Sequence, residues 1–164
     1  MTYDPRETER VGKPVTDSQA GDMVRRMDSL PPHPEVPDAL RRLRQTPLKV
    51  AALVNSLEAV GESQLTNAGV RDYFDAVLSA DSVRHLKPAP EPYHLVAKTF
   101  SVDISEVRLV AAHSWDISGA LAAGCRAAFV ARPGMILSTI GAQPDIVGPD
   151  IAAVVEQIVA ADAR

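Results

Sequence analysis

Four short apolar runs, residues 48–55, 74–79, 107–112 and 127–130, alternate with stretches of helical periodicity. That alternation narrows the choice of fold more than any other feature of the chain. Strands that alternate with helices pair in parallel and need a crossover between them, which gives a doubly wound α/β sheet covered on both faces. The run 48–55 is apolar almost throughout, as strands buried on both faces are. Right-handed crossovers place the carboxyl ends of the strands along one edge. Open sheets of this kind keep their chemistry at that edge. Three polar clusters fall there: Asn55-Ser56, Lys87 shortly after the second run, and His113-Ser114-Trp115-Asp116 after the third.

The helices carry their own punctuation. Residues 17–30 set Met23, Val24, Met27 and Leu30 at helical spacing and stop at Pro31-Pro32-His33-Pro34. Residues 36–44 put Val36, Leu40 and Leu43 on one face. Ser56 is placed to cap a helix reaching Ala68, with Gly69 as its terminator. Residues 88–100 hold their prolines in the first turn, where amides have no helical partner. Residues 116–123 form a helix closed by Gly124, and 149–161 a last helix with Ile151, Val154, Val155, Ile158 and Val159 as its apolar face. Residues 1–15, with Pro5, Gly12 and Pro14, read as a polar tail.

A chain of 164 residues is one domain of ordinary size. Hydrophobic residues at 46% and charged residues at 23% fit a soluble globular protein. The net charge of -4, with no Lys/Arg block, argues against nucleic acid and anionic membrane as partners. No apolar run reaches the roughly 18 residues of a membrane span. The amino terminus has no basic-then-apolar signal pattern, and the single Cys125 excludes an internal disulfide, so the expectation is a cytoplasmic protein. Cys125, between Gly124 and Arg126, reads as a small buried apolar residue rather than a reactive thiol.

Each polar candidate has a plain alternative. Lys87 on its own is a solvated loop lysine. Asp116 is a helix N-cap, a role compatible with chemistry. His113 is a general base or a satisfied polar group at a strand end, and the latter is preferred. Trp115, the single tryptophan, is expected to pack in the core. Tyr93 shares a helix face with Val96 and Ala97, which suits packing as well as pocket lining. His33, His85 and His94 are scattered without metal-ligand spacing.

Taken together, Leu53-Val54-Asn55-Ser56, Phe74-Asp75-Ala76-Val77-Leu78-Ser79-Ala80-Asp81, Lys87-Pro88-Ala89-Pro90-Glu91-Pro92-Tyr93, Val110-Ala111-Ala112-His113-Ser114-Trp115-Asp116 and Ala131-Arg132-Pro133-Gly134 resemble the haloacid dehalogenase superfamily, and more closely the type II 2-haloacid dehalogenases. The resemblance covers roughly residues 20 to 155. It implies a three-layer, Rossmann-like core and a two-step hydrolysis of a short 2-haloacid through an aspartyl ester. It implies that Lys87 and Asp116 are catalytic, the lysine as the cation beside the nucleophile and the aspartate orienting it. Asn55, Ser56, Tyr93, His113 and Trp115 would lie on the substrate side. No cofactor is implied. The superfamily's phosphatases hold Mg²⁺ with late acidic residues, and Ala120 stands where a second acid is often found, so no metal site is expected.

The family's first strand ends in an Asp-x-x-Gly-Thr motif that supplies the nucleophile, and this sequence has none. The acids upstream of Asn55 are Glu residues and Asp4, Asp17, Asp22, Asp28 and Asp38, and none of these aspartates follows an apolar run or precedes Gly-Thr. The expected architecture therefore lacks the first central strand and most of the helical cap: a tail over 1–15, a cap remnant and linker over 16–35, and a core over 36–164. Removing a central strand strips its neighbours of backbone partners. Either the neighbours close up, or residues 1–15 partly cover the gap. Marginal stability, or dependence on a partner, is expected, and exposed strand edges favour a homo-oligomer. Val54 and Ala111 stand where the resemblance leads one to expect hydroxyl residues, which weakens anion binding. The expected function is a 2-haloacid dehalogenase-like hydrolase, inactive without its nucleophile, with a small-molecule substrate. The alternatives are a non-catalytic remnant that binds a small carboxylate or a protein, a phosphatase-type hydrolase, and a mis-set start or split gene.

Overall fold

The computed structural model describes residues 15–163. The proposed tail over 1–15 therefore lies outside the described residues, apart from Val15. Helix α1 (Asp17–Met27) and helix α2 (Val36–Leu43) lead into strand β1 (Ala51–Val54). Helix α3 (Glu58–Asn67), strand β2 (Ala76–Ser79), helix α4 (Pro90–Phe100), strand β3 (Arg108–Ala111), helix α5 (Ser114–Ala122), strand β4 (Arg126–Val130), strand β5 (Ile146–Gly148) and helix α6 (Ile151–Asp162) follow. All strand pairs are parallel, as the alternation of the sequence requires.

The sheet comes in two pieces. Strand β1 pairs with β2, from Ala51 opposite Ala76 to Val54 opposite Ser79. Strands β3, β4 and β5 form the second piece, in that order. Among the described residues no ladder joins β1 to β3. The gap expected from the missing motif is thus present, and the two neighbours have not closed up.

Strand β4 shows why the larger piece is stable. Its side chains alternate between faces, as the pleat dictates. Ala127 and Phe129 pack with Ile117 of α5. Ala128 and Val130 pack on the other face with Ile146, Val154 and Ile158, backed by Leu43 of α2. This gives three layers, with α5 on one side and α2 and α6 on the other. A third apolar cluster spans the gap: Leu53 of β1 and Leu109 of β3 both pack against the layer of Tyr93, Ala120, Ala123 and Cys125. Side chains from α4 and α5 therefore tie together two sheets that share no backbone ladder.

Several boundaries differ from the sequence reading. Helix α1 ends at Met27, and its last turn is held by α3, where Gln64 Nε2 donates to Met27 O and Asn67 Nδ2 to Asp28 O. Ser56 does not cap α3: Leu57 precedes the first turn, and the Ser56 carbonyl instead accepts from Ser79 Oγ at 2.7 Å. Helix α6 begins at Ile151 under an Asp150 cap, whose side chain accepts from the Ala153 amide. Strand β5 has no counterpart in the sequence reading. Gly69, at φ 69°, closes α3 as expected.

Candidate active site

The carboxyl ends of β1 and β3 meet at one lysine. Asp116 lies in the first turn of α5 and is 6% exposed. It is not the N-cap, a position His113 takes without a side-chain capping bond. This placement turns its carboxylate inward rather than onto its own helix end. Asp116 Oδ2 accepts from Lys87 Nζ at 2.8 Å, and Oδ1 accepts from Tyr93 Oη at 2.7 Å. The Lys87 and Asp116 side chains are 11% and 8% exposed. Lys87 is therefore no solvated loop lysine. A buried pair repays its desolvation only when its remaining polar atoms are also satisfied, and Tyr93 supplies that second donor.

Tyr93 is 1% exposed and both packs and binds, so its two alternative readings merge. Burial, reinforced by the Asp116 hydrogen bond and charge, pushes its phenol far above the ordinary range, which keeps the hydroxyl a donor. Asn55 holds the other side of the centre. Its Oδ1 accepts from the Lys87 amide at 2.8 Å, and its Nδ2 donates to the Lys87 carbonyl at 3.3 Å. Both polar ends of the Asn55 side chain are thus engaged with the backbone of the lysine. The Lys87–Pro88 peptide is cis.

Gly119 lets these groups converge. A Cβ there would sit 2.6 Å from Pro88 Cβ, 2.7 Å from Tyr93 Oη and 2.8 Å from Pro88 O. The sequence run Ser118-Gly119-Ala120 signals close approach in general, but the partner is visible only in three dimensions. Sequence reasoning did not single this residue out.

Trp115 does not pack in the core: it is 44% exposed. Its ring centroid lies 6.0 Å from Lys87 Nζ and 5.9 Å from the exposed His113 ring. With Leu57 and Leu86, each more than half exposed, Trp115 adds apolar surface to the loops that follow the strands. Ser56 contributes through its carbonyl, the acceptor for Ser79. The methyl groups of Val54 face α3, where they lie over Gly61.

His33, His85 and His94 are exposed and lie outside this centre. Burial pushes the Cys125 thiol up to about 11, so it stays protonated and inert. Of the upstream aspartates, Asp4 lies outside the described residues. Asp17 and Asp22 are on α1, Asp28 just follows it, and Asp38 pairs with Arg41 on α2. None of these four is a hydrogen-bond partner of Lys87. Among the described residues no three His, Cys, Asp or Glu side chains are grouped to hold a metal ion. No helix among them is long and apolar enough to cross a membrane.

Comparison with known proteins bears on the family of the chain. A sequence profile described as haloacid dehalogenase-like hydrolase matches residues 13–130. Haloacetate dehalogenase H-2 of Moraxella sp. (strain B) is 35% identical over 129 residues, which are 79% of this chain and 58% of that protein. Phosphoglycolate phosphatase of Neisseria meningitidis is 32% identical over 94 residues, which are 57% of this chain and 40% of that protein. The L-2-haloacid dehalogenase of Xanthobacter autotrophicus, solved with chloropropionic acid covalently bound, superposes with a TM-score of 0.82 at 30% identity, covering 93% of this chain and 71% of that one. The chain thus spans little more than half of the Moraxella relative. The profile match over most of its length and the likeness of its fold to a solved dehalogenase show that this chain belongs to the haloacid dehalogenase-like hydrolases.

Proposed function

We propose that this chain carries the lysine–aspartate part of a 2-haloacid dehalogenase site and needs a carboxylate nucleophile from outside these 164 residues. One observation carries the reading: the Lys87 side chain is largely enclosed, its ammonium held by Asp116 and its backbone by Asn55, residues that follow β3 and β1. A carboxylate oxygen placed beside it would attack C2 of a short 2-haloacid. The C–O bond forms, the C–halogen bond breaks, and halide leaves with the bonding pair. Water then adds to the ester carbonyl, freeing the 2-hydroxy acid, the carboxylate and one proton. In this scheme Lys87 stabilises the attacking carboxylate, Asp116, itself held by Tyr93, fixes the ammonium, and Asn55 fixes the lysine backbone. Trp115, His113 and Ser56 lie toward the substrate. The tail, cap remnant and core assigned to 1–15, 16–35 and 36–164, and a cytoplasmic setting, belong to the same proposal.

The test is halide release from 2-chloropropionate by the purified 164-residue chain. The expected rate equals the buffer background. Release above background would show that a nucleophile already lies within these residues.

A second reading is a small-carboxylate binding domain without turnover. The missing nucleophile motif favours it over turnover, while Val54 and Ala111, which offer no hydroxyl to an anion, predict that such binding is weak. It predicts that 2-chloropropionate or lactate binds and that Lys87→Ala abolishes the binding. Equal binding by the variant would remove this reading.

A further inference from the structure

Strand β5 lacks the cover that β4 has. Val147 stands opposite Phe129 in the parallel register, so both side chains lie on the face of the sheet that carries α5. Phe129 is buried against Ile117 of α5, whereas Val147 is 48% exposed. A connection between parallel strands is usually a helix laid on the sheet. Residues 131–145 connect β4 to β5 without one. Leu137 turns in against the Phe129 cluster, which places this loop on the same face as Val147. Ile136 and Ile140 are 83% and 84% exposed. The loop is nevertheless tied down. The Met135 amide donates to Arg132 O at 2.9 Å, and Gln143 Nε2 donates to Ser138 O and Gly141 O at 3.2 and 3.1 Å. Its ends are held by the pairs Arg132–Glu35 and Asp145–Arg108.

We propose that this face, the 133–144 loop together with Val147, docks a second copy of the chain about a two-fold axis. Charge selects this occupant. Residues 133–144 hold no charged residue, in a chain where 23% of residues are charged. An acidic or basic partner finds nothing there to pair with. A second copy brings the same uncharged face, so no like charges meet although each copy carries a net charge of -4. A two-fold contact needs a surface complementary to itself, and an uncharged apolar face meets that need. Side chains carry the contact rather than strand pairing, because the Val147 carbonyl already accepts from Gln157 Nε2 at 3.0 Å. A loop fixed in advance loses little freedom on docking. The face is small beside the roughly 800 Å² per partner of a stable complex, so the dimer is reversible and forms at high concentration. It uses a surface separate from the gap between β1 and β3 and is independent of the dehalogenase reading.

The test is sedimentation equilibrium of the 164-residue chain from about 10 μM to about 1 mM. The expected average mass rises from 17.5 kDa toward twice that value. The double variant Ile136→Asp/Ile140→Asp associates at least about tenfold more weakly, since four carboxylates then crowd one apolar contact. Both side chains are exposed, so the variant keeps the circular dichroism of the parent. Met23→Asp, on the exposed face of α1, leaves association unchanged. Amide exchange of the unaltered chain gives a readout that needs no variant: residues 135–141 and Ile146–Gly148 slow as concentration rises. A mass of 17.5 kDa at every concentration would overturn the proposal. Equal association by the double variant, or association lost in Met23→Asp, would overturn it by placing the contact elsewhere. Protection of 135–141 independent of concentration would make another part of the same chain the cover. Loss of that loop's exposure on phosphatidylcholine vesicles, with no dimer in solution, would make the occupant a lipid surface.

Discussion

Gly119 and Asp75 show how single residues set local geometry, one at the centre and one at the far end of β1. Gly119→Ala forces a methyl group against Pro88 and the Tyr93 hydroxyl. The expected loss is about 1–3 kcal/mol, the usual range for overpacking a close contact. Gly69→Ala is the control: nothing lies within 4 Å of a Cβ there, so only the left-handed φ of 69° opposes it, at about 1–2 kcal/mol. Urea unfolding of both variants checks the difference. At the other end of β1, the Asp75 carboxylate accepts from the Val50 amide at 2.8 Å and pairs with Arg44 and Lys49. Burial opposes its charge, but these donors outweigh burial and hold the carboxyl below the ordinary range. A carboxyl depressed in the folded state stabilises fully above its unfolded pKa, about 3.9, and that contribution is lost as pH falls through the lower folded value. Asp75→Asn is therefore expected to lower stability at pH 7 and to flatten its fall below about pH 4, read as urea midpoints across that range. The sequence showed which polar residues gather at this edge but not most of the bonds among them. Lys87, Asp116 and Asn55 were legible as a cluster at one edge. That Asn55 grips the lysine backbone, that Asp116 sits inside the first turn, and that Trp115 is half-exposed depend on side-chain directions no spacing encodes.

At the scale of elements, the strands were legible because apolar runs alternate with helical periods, and their ends were not. Strand β5 escaped because Ile146-Val147-Gly148 is three residues long and follows an irregular loop. The start of α3 moved because the Ser56 carbonyl is taken by Ser79, leaving Leu57 at the helix entrance. The amino ends of β3 and β4 are locked by a charge network equally invisible in sequence. The Arg108 guanidinium, on a side chain 7% exposed, donates to both oxygens of Asp145 and both of Asp162, and Arg126 also reaches Asp162. Burial opposes the charge on Arg108, but the bonds from Asp145 and Asp162 outweigh it, so the guanidinium stays charged. Lysine keeps the charge and loses the fork. Arg108→Lys is expected to cost about 1–3 kcal/mol, with β5 and the end of α6 becoming the first amides to exchange. Unchanged stability would mean that the apolar contacts of α6 alone hold it in place.

For the molecule as a whole, the sequence predicted both the parallel α/β core and its defect. What it left open was how the chain accommodates a missing central strand. The structure answers that the two sheet pieces stay apart, bridged by the Tyr93 layer and by the Asn55–Lys87–Asp116 contacts. The chain then has an enclosed Lys87–Asp116 pair held by Tyr93, and Asp116 is the carboxylate that accepts from that lysine. The most direct test joins to the chain an apolar strand ending in Asp-x-x-Gly-Thr and measures halide release from 2-chloropropionate, with and without Lys87→Ala. The extended chain is expected to release halide, the original none, and the Lys87→Ala version at least about a hundredfold less, equivalent to about 2.7 kcal/mol of transition-state stabilisation. An extended chain that binds its strand yet releases halide equally well without Lys87, or releases none at all, would contradict it.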